Sequence, residues 1–355
     1  MTPASDSLWP PAERELRDCI HRPIESRWFE VFGLGVHARV GGDGAPVVLV
    51  HGYGVSGTYM LPLAQSLAPF FSVFVPDLPG YGRSQSPGAP LGMADLAAAL
   101  AGCLDAAGLQ RPAFVANSMG CQIVTELAVH LPGRVGPLVL VGPTVDPQRR
   151  QARRQLLGGL RDAAREPRSL LSLAARDDAV VGVRALLATA RSALADRIEQ
   201  RLPLILQPAV VVRGENDGFV GERWAESAAA LLPRGRLVVV PGEPHAVHYT
   251  RPDLIARIVH KLLIEEGEQA SSQLPRRLPH GHVPALEANE PGAGQHPLPL
   301  LGDPRRKQPV VLAPDEQRVG TNGRELGAQA PMVREHGSTQ ETERPRADCV
   351  ADDRR

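Results

Sequence analysis

The sequence predicts an α/β fold, a mostly parallel central sheet with helices on both faces. Two observations carry that expectation. From Pro46 onward, short apolar runs such as Val47-Val48-Leu49-Val50 and Val210-Val211-Val212 alternate with stretches whose apolar residues recur at helical spacing. A strand-helix-strand alternation needs crossover connections, which favour parallel strands covered on both sides.

The elements follow in order. Residues 1–26 read as a polar leader with one short helix through Glu13 to Ile20. Arg27 to Phe32 and Val36 to Val40 read as two opening strands, separated at Gly33-Leu34-Gly35. The run Val47-Val48-Leu49-Val50 ends in the glycine-rich turn His51-Gly52-Tyr53-Gly54, and Ser72-Val73-Phe74-Val75-Pro76-Asp77 leads into Leu78-Pro79-Gly80-Tyr81-Gly82-Arg83-Ser84. Leu96, Leu100 and Leu104 stripe a helix. Pro112-Ala113-Phe114-Val115 is a buried strand that runs into Ala116-Asn117-Ser118-Met119-Gly120, and Ile123, Val124, Leu127, Ala128 and Leu131 then line one helix face. A sixth strand ends in Val141-Gly142-Pro143-Thr144-Val145-Asp146. The alternation stops across 146–203, which is helical in pattern through Leu156, Leu157, Leu160, Leu170, Leu171 and Leu173. It resumes with Ala209-Val210-Val211-Val212-Arg213-Gly214 before Glu215-Asn216-Asp217, and with Leu237-Val238-Val239-Val240-Pro241-Gly242 before Glu243-Pro244-His245. Trp224, Ala228 and Leu231 share a helix stripe and are expected in the core. Leu254, Ile258, Val259, Leu262 and Leu263 stripe the last helix. The core is thus expected over 27–145 and 204–266, with 146–203 inserted. Residues 267–355 are rich in Pro, Arg, Gly, His and Gln and poor in large apolar side chains, so they are expected to be disordered and unrelated to catalysis.

Strand ends deliver a glycine turn, a serine, an aspartate and a histidine in that chain order. A serine on a tight strand-to-helix bend needs small residues two before and two after it, here Ala116 and Gly120. On these motifs the chain resembles the α/β-hydrolase fold superfamily in its serine-nucleophile branch, over roughly residues 27 to 266. Ala116 departs from the glycine usual there, and Pro244 replaces a second. The resemblance implies that the 146–203 insertion lies over the strand ends as a short helical cap.

The chemistry that follows is acyl transfer. A serine hydroxyl needs a neighbouring base; His245 is the candidate, and Asp217 would fix its tautomer and stabilise the imidazolium. By the family pattern the oxyanion hole comes from the backbone N–H groups of Met119 and Tyr53. Each role has a rival. Asp146 follows the sixth strand, where some relatives keep their acid. Asp77 also ends a strand, but its segment matches one that shapes a loop. His248 lies three residues beyond His245, while Pro241-Gly242-Glu243-Pro244-His245-Ala246 aligns with the family's histidine loop. His51 is expected to be a structural hydrogen-bonding residue. Cys121 reads as buried packing, with a thiol nucleophile as the sharper alternative. Tyr53 is the aromatic residue expected to face a ligand.

A serine at the bend excludes relatives that attack with a carboxylate, namely epoxide hydrolases and haloalkane dehalogenases. A small carboxylic ester is the expected substrate. The alternative is a carbon–carbon bond hydrolase of ring-cleavage products, whose bend Asn117-Ser118-Met119-Gly120 resembles, although Ala246 stands where that group usually has tryptophan. A non-catalytic ligand-binding protein is the reading from another class.

Composition narrows the rest. Among 355 residues, 39 basic and 39 acidic side chains cancel, leaving no basic field for nucleic acid. The insertion is the exception, with twelve arginines against seven carboxylates. These are expected to form a solvated helix face, the alternative being a cap arginine that attracts an acidic substrate. No apolar run reaches the roughly 18 residues of a membrane span, and Met1 to Pro11 lacks the pattern of a secretory leader. The four cysteines have no metal-ligand spacing, and no phosphate-binding glycine loop is present. No metal and no cofactor are expected. A cytoplasmic protein acting on a small molecule fits these features, and the oligomeric state is not legible.

Overall fold

Two hairpin strands, β1 (Glu25–Val31) and β2 (Leu34–Gly41), open the fold and pair antiparallel. Their connection is the two-residue turn Phe32-Gly33, both at positive φ (53° and 76°), which matches the twist of the flanking strands. The turn is thus one residue earlier than the glycines alone suggest, and Leu34 pairs with Val31 instead of lying in the loop. The computed structural model describes residues 23–151 and 183–273, with Gly158 and Pro167.

Six further strands complete the sheet: β3 (Pro46–Val50), β4 (Ser72–Pro76), β5 (Ala113–Asn117), β6 (Leu138–Val141), β7 (Ala209–Gly214) and β8 (Gly235–Val240). The order is β1-β2-β4-β3-β5-β6-β7-β8, parallel throughout from β4 to β8. The helices are α1 (Leu61–Leu67), α2 (Met93–Ala106), α3 (Met119–His130), α4 (Val183–Ala195), α5 (Ile198–Arg201), α6 (Glu222–Leu231), α7 (Val247–Thr250) and α8 (Pro252–Gln273). This is the α/β-hydrolase fold.

Because successive strand residues point to opposite faces, the sheet feeds two apolar layers. Val48, Val50, Phe114, Ala116, Leu138 and Leu140 face Leu96, Leu100 and Leu104 of α2, Ile123 and Leu127 of α3, and Trp224 and Ala228 of α6. Val47, Leu49, Val115, Val139, Val141 and Val212 face Leu63 and Leu67 of α1 and Ile255, Val259 and Leu262 of α8. Trp224 donates its indole N–H to the Pro143 carbonyl at 2.8 Å, so its one polar atom is satisfied. The parallel strands are covered on both faces and their C-terminal ends share one edge, where a site can form.

Two further boundaries differ from the sequence reading. β1 starts at Glu25, inside the span read as leader; the rest of that span up to residue 22, with its expected helix, lies outside the described residues. The last helix runs to Gln273, past the expected limit at 266. Glu265 and Glu266 ion-pair with Arg236 and Arg234 and hold this end of the helix to the sheet edge. Of the 146–203 insertion, its first residues and then α4 and α5 are described, and the leucines from 156 to 173 lie outside the described residues. Its arginine run is not wholly a solvated face. Arg150 is half-buried, bonded to Glu199 and to the carbonyls of Leu194 and Asp196, because it closes the exit from α4. Arg201 likewise bridges Asp196 and Glu126. No helix among the described residues is long and apolar enough to cross a membrane.

Candidate active site

Ser118 stands between β5 and α3 at φ 55° and ψ −119°. A side-chain-bearing residue in that region is strained, at a cost of order 1–3 kcal/mol, and persists only where the surroundings enforce it. They do so here by close backbone approach. A Cβ on Gly120 would come within 2.6 Å of the Val50 carbonyl and 2.8 Å of the His51 carbonyl. A Cβ on Gly52 would meet the Ser118 Cβ at 3.2 Å. The Ser118 amide donates to the Val141 carbonyl at 2.9 Å, locking the bend to the end of β6. Its Oγ lies 3.5 Å from the Thr144 hydroxyl.

Two strands along the edge, the loops after β7 and β8 bring Asp217 and His245 together. The Asp217 Oδ2 lies 2.8 Å from the His245 Nδ1. The other oxygen, Oδ1, accepts from the amides of Phe219 and Val220 at 2.8 Å each, which holds the carboxylate plane and leaves Oδ2 to the imidazole. Since a carboxylate can only accept, Nδ1 carries a hydrogen. The Phe219 ring packs against the imidazole with centroids 4.8 Å apart. Gly142, directly after β6, lets the pair approach the backbone closely: a Cβ there would meet the His245 Cε1 at 2.6 Å and the Asp217 Oδ2 at 3.2 Å.

The rivals go elsewhere. Asp146 caps a turn by accepting from the Gln148 amide at 2.9 Å and lies 3.5 Å from Arg149. Asp77 is a buried loop-shaping hub. It accepts from Arg39 at 2.8 Å, from the Gly57 amide at 2.8 Å and from the Arg83 amide at 3.0 Å, and it pairs with His37 at 2.8 Å. Burial pushes its carboxyl up, but Arg39 and the donated hydrogen bonds outweigh that and hold it below the usual range. His248 is fully buried against Tyr59, ring centroids 4.4 Å apart, and among the described residues no hydrogen-bond partner reaches either ring nitrogen. Burial, with a smaller push from His245, lowers it to about 3, so it stays neutral. Cys121 is buried, with its thiol directed at the Ala116 carbonyl at 3.2 Å. Burial raises it far above the range in which a thiolate forms, which removes the thiol nucleophile.

The turn after β3 faces the serine from the other side. Gly52 packs on Ser118 as above, and Tyr53 follows it. Met119 is the first residue of α3, where an amide has no acceptor within its own helix. The Tyr53 side chain is half-exposed and its hydroxyl donates to the Leu186 carbonyl of α4 at 3.0 Å, tying the turn to the insertion. Beyond α4 lies a cavity of about 470 Å³, bordered by Tyr81, Leu91, Leu96, Ala185 and Thr189; Ser118, Asp217 and His245 do not border it. Sequence reasoning missed Gly142, Thr144 and Phe219. The signal for the first was available, since a glycine directly after a buried strand on the ligand-bearing edge marks a close approach.

A model described as the alpha/beta hydrolase family matches residues 47–258. A pimeloyl-[acyl-carrier protein] methyl ester esterase of Aliivibrio salmonicida (strain LFI1238) is 27% identical over 253 residues, covering 64% of this chain and 95% of that protein. Among solved structures, a thermophilic esterase from Thermogutta terrifontis superposes with a TM-score of 0.57 at 20% identity, covering 68% of this chain and 98% of the other. The 2-hydroxy-6-oxo-6-phenylhexa-2,4-dienoate hydrolase of Rhodococcus sp. strain RHA1 gives 0.58 at 22%, covering 68% and 99%. At those identities the two likenesses concern the fold.

Proposed function

We propose, on the premise that this chain belongs to the alpha/beta hydrolase family, that it is a serine hydrolase cleaving a small carboxylic ester through an acyl-enzyme. The observation that carries the proposal is the 2.8 Å Asp217–His245 pair held against Gly142, beside the β6 end to which the strained Ser118 bend is bonded. Ser118 Oγ attacks the ester carbonyl while His245 Nε2 takes its proton. Asp217, fixed by two amides, orients the imidazole and balances the imidazolium. The amides of Tyr53 and Met119 receive the negative charge of the tetrahedral oxygen, each worth on the order of 3 kcal/mol. His245 then protonates the departing alkoxide, and water, activated by the same imidazole, releases the acid.

An ester is preferred because the esterase from Aliivibrio salmonicida aligns over almost its whole length. The carbon–carbon reading rests on the bend Asn117-Ser118-Met119-Gly120 and stays second. The buried free thiols Cys103 and Cys121 fit a cytoplasmic enzyme. A fluorophosphonate probe tests the nucleophile: the folded protein labels on Ser118, and Ser118→Ala abolishes labelling. A folded protein that does not label, with no turnover of p-nitrophenyl esters of any acyl length, refutes the proposal in favour of a binding protein.

A further inference from the structure

The loop after β6 carries a hydroxyl beside the nucleophile. Thr144 Oγ1 lies 3.5 Å from Ser118 Oγ, on a residue that is almost wholly buried. Among the described residues, Ser118 is the hydrogen-bond partner of that hydroxyl. The separation exceeds the roughly 2.5–3.0 Å of a closed O–H···O bond. Each oxygen turns about a single Cα–Cβ bond, and catalytic hydrogen bonds are often long before substrate arrives and tighten in the complex.

The two residues hang from one strand end. The Ser118 amide donates to the Val141 carbonyl at 2.9 Å, and Thr144 follows Val141 by three positions. The loop between is pinned twice. The Gly142 amide donates to the Val212 carbonyl at 2.8 Å, and the Pro143 carbonyl accepts from the Trp224 indole at 2.8 Å. That carbonyl belongs to the planar peptide unit joining Pro143 to Thr144, so the indole sets the plane from which the threonine departs. Trp224 is itself packed in the apolar layer of α2, α3 and α6. Core packing thus aims Thr144 at the serine.

A serine hydroxyl has one hydrogen and two lone pairs. In the proposed attack that hydrogen goes to His245 Nε2, so toward Thr144 the Ser118 oxygen can only accept, and Thr144 is the donor. We infer that Thr144 is a further catalytic residue: its hydroxyl donates to Ser118 Oγ and stabilises the negative charge on that oxygen as His245 removes the proton. The inference rests on the reading of Ser118 as nucleophile and His245 as base. Ser118 gives its proton to His245, its oxygen forms the bond to the acyl carbon, and Thr144 keeps its own proton throughout. The same donor acts again when water cleaves the acyl-enzyme, because the Ser118 oxygen is then the leaving group.

Two substitutions divide the threonine into its parts. Thr144→Val keeps the branched shape and removes the hydroxyl; Thr144→Ser keeps the hydroxyl and removes the methyl. Two rates are read on each: kcat/KM with p-nitrophenyl acetate, and the rate constant of Ser118 labelling by a fluorophosphonate, which reports the nucleophile without a deacylation step. Thr144→Val is expected to lower both by about tenfold, the equivalent of one hydrogen bond of about 1.4 kcal/mol. Thr144→Ser is expected to stay within about threefold of the parent in both, since the donor is retained. The opposite rank, with valine near the parent and serine impaired, marks a packing role and overturns the inference. So does a valine variant as fast as the parent. A valine variant faster than the parent overturns it too, because Thr144 would then draw the serine hydrogen away from the base.

Should valine prevent folding, Thr144→Ala is compared with Thr144→Ser, which differ by the hydroxyl alone. An alanine rate lower by about tenfold upholds the inference, and equal rates overturn it. An unsubstituted protein that fluorophosphonate does not label at Ser118 removes the underlying reading instead. Labelling with the wrong rank of variants removes only the role given to Thr144.

Discussion

Replacing Gly142 by alanine adds one methyl group against the imidazole of His245 and the carboxylate of Asp217, one residue after the carbonyl that holds the serine bend. The new carbon would lie 2.6 Å from the His245 Cε1 and 2.7 Å from its Nδ1. Non-bonded carbons rest at about 3.5–4.0 Å, so the ring must retreat by about 1 Å. Its bond to Asp217, 2.8 Å long, lies across the same contact and is broken or bent by that retreat. A misplacement of this size costs about 100-fold in rate. The backbone adds a second penalty, because Gly142 has φ 57°, where alanine costs about 1–2 kcal/mol. The two effects are read separately, kcat/KM on p-nitrophenyl acetate for the first and calorimetric Tm for the second. A domain of this size loses about 2–4 °C per kcal/mol. A variant whose Tm falls by several degrees while kcat/KM is unchanged would show that the imidazole beside Gly142 takes no part in turnover. A variant unchanged in both would refute the close approach itself.

Ser118→Ala and His245→Ala are each expected to lower kcat by roughly a million-fold, and the double variant no further, because the groups act as one unit; losses that multiply would contradict that unit. Asp77→Ala leaves the Arg39 guanidinium and the Gly57 and Arg83 amides without their acceptor and is expected to cost about 3–5 kcal/mol in urea titrations, so a loss below 1 kcal/mol would contradict the hub. Because the folded Asp77 carboxyl is held below its ordinary value of 3.8, its contribution is present above that pH and lost as pH falls through the lower folded value. His248 carries the opposite chemistry with the same sign. Its folded value of about 3 lies below the ordinary 6.5, so the unfolded chain binds a proton between those limits that the native protein refuses. Stability then falls on acidification by up to about 1.4 kcal/mol per pH unit. His248→Phe should flatten the pH dependence of unfolding free energy between 6.5 and 3 by one proton, and parallel pH slopes would refute the burial.

Much of the fold was legible because its central strands are short apolar runs alternating with helical stripes, the pattern of a sheet covered on both faces. The serine bend was legible for a steric reason: Gly120 is small where the Val50 and His51 carbonyls approach, and Ala116 is the small residue two before the serine. Aspartate and histidine after consecutive strands could be read as candidates, yet one string of residues could not say that Asp146 turns to a local cap while Asp217 reaches across 28 positions to His245. That choice depends on which loop amides hold which carboxylate oxygen. Thr144 and Phe219 were illegible because their places come from loops meeting in space, whereas Gly142 carried a signal that was missed. The inward turn of Arg150 was illegible too, since a run of arginines looks the same whether each charge meets water or a carbonyl.

Among the described residues another buried imidazole–carboxylate pair stands beside the proposed catalytic one, and comparing the two says what the proposed role requires. His37 Nδ1 lies 2.8 Å from Asp77 Oδ2, the same separation as His245 from Asp217. Separation therefore decides nothing. At His37 the lone pair of Nε2 is already taken by an N–H of Arg83 at 3.3 Å, and Asp77 already balances the charge of Arg39. Burial depresses the His37 imidazole, Asp77 only partly offsets that, and Arg39 and Arg83 repel a further proton. A proton arriving there would meet two guanidinium groups, so the pair is a fixed brace. Asp217 instead spends one oxygen on two neutral amides and faces its imidazole with the other, leaving a full negative charge to answer a proton on His245. Freeing the Asp77 charge from its arginine partners, by Arg39→Met with Arg83→Met, should raise the affinity of His37 for a proton without creating esterase activity. Its Nε2 would still be buried on the hairpin side of the sheet, away from any strained serine. NMR titration of His37 in the double variant measures this, and an imidazole that still refuses protons at pH 5, below the ordinary value of about 6.5, would show that desolvation alone keeps the brace neutral.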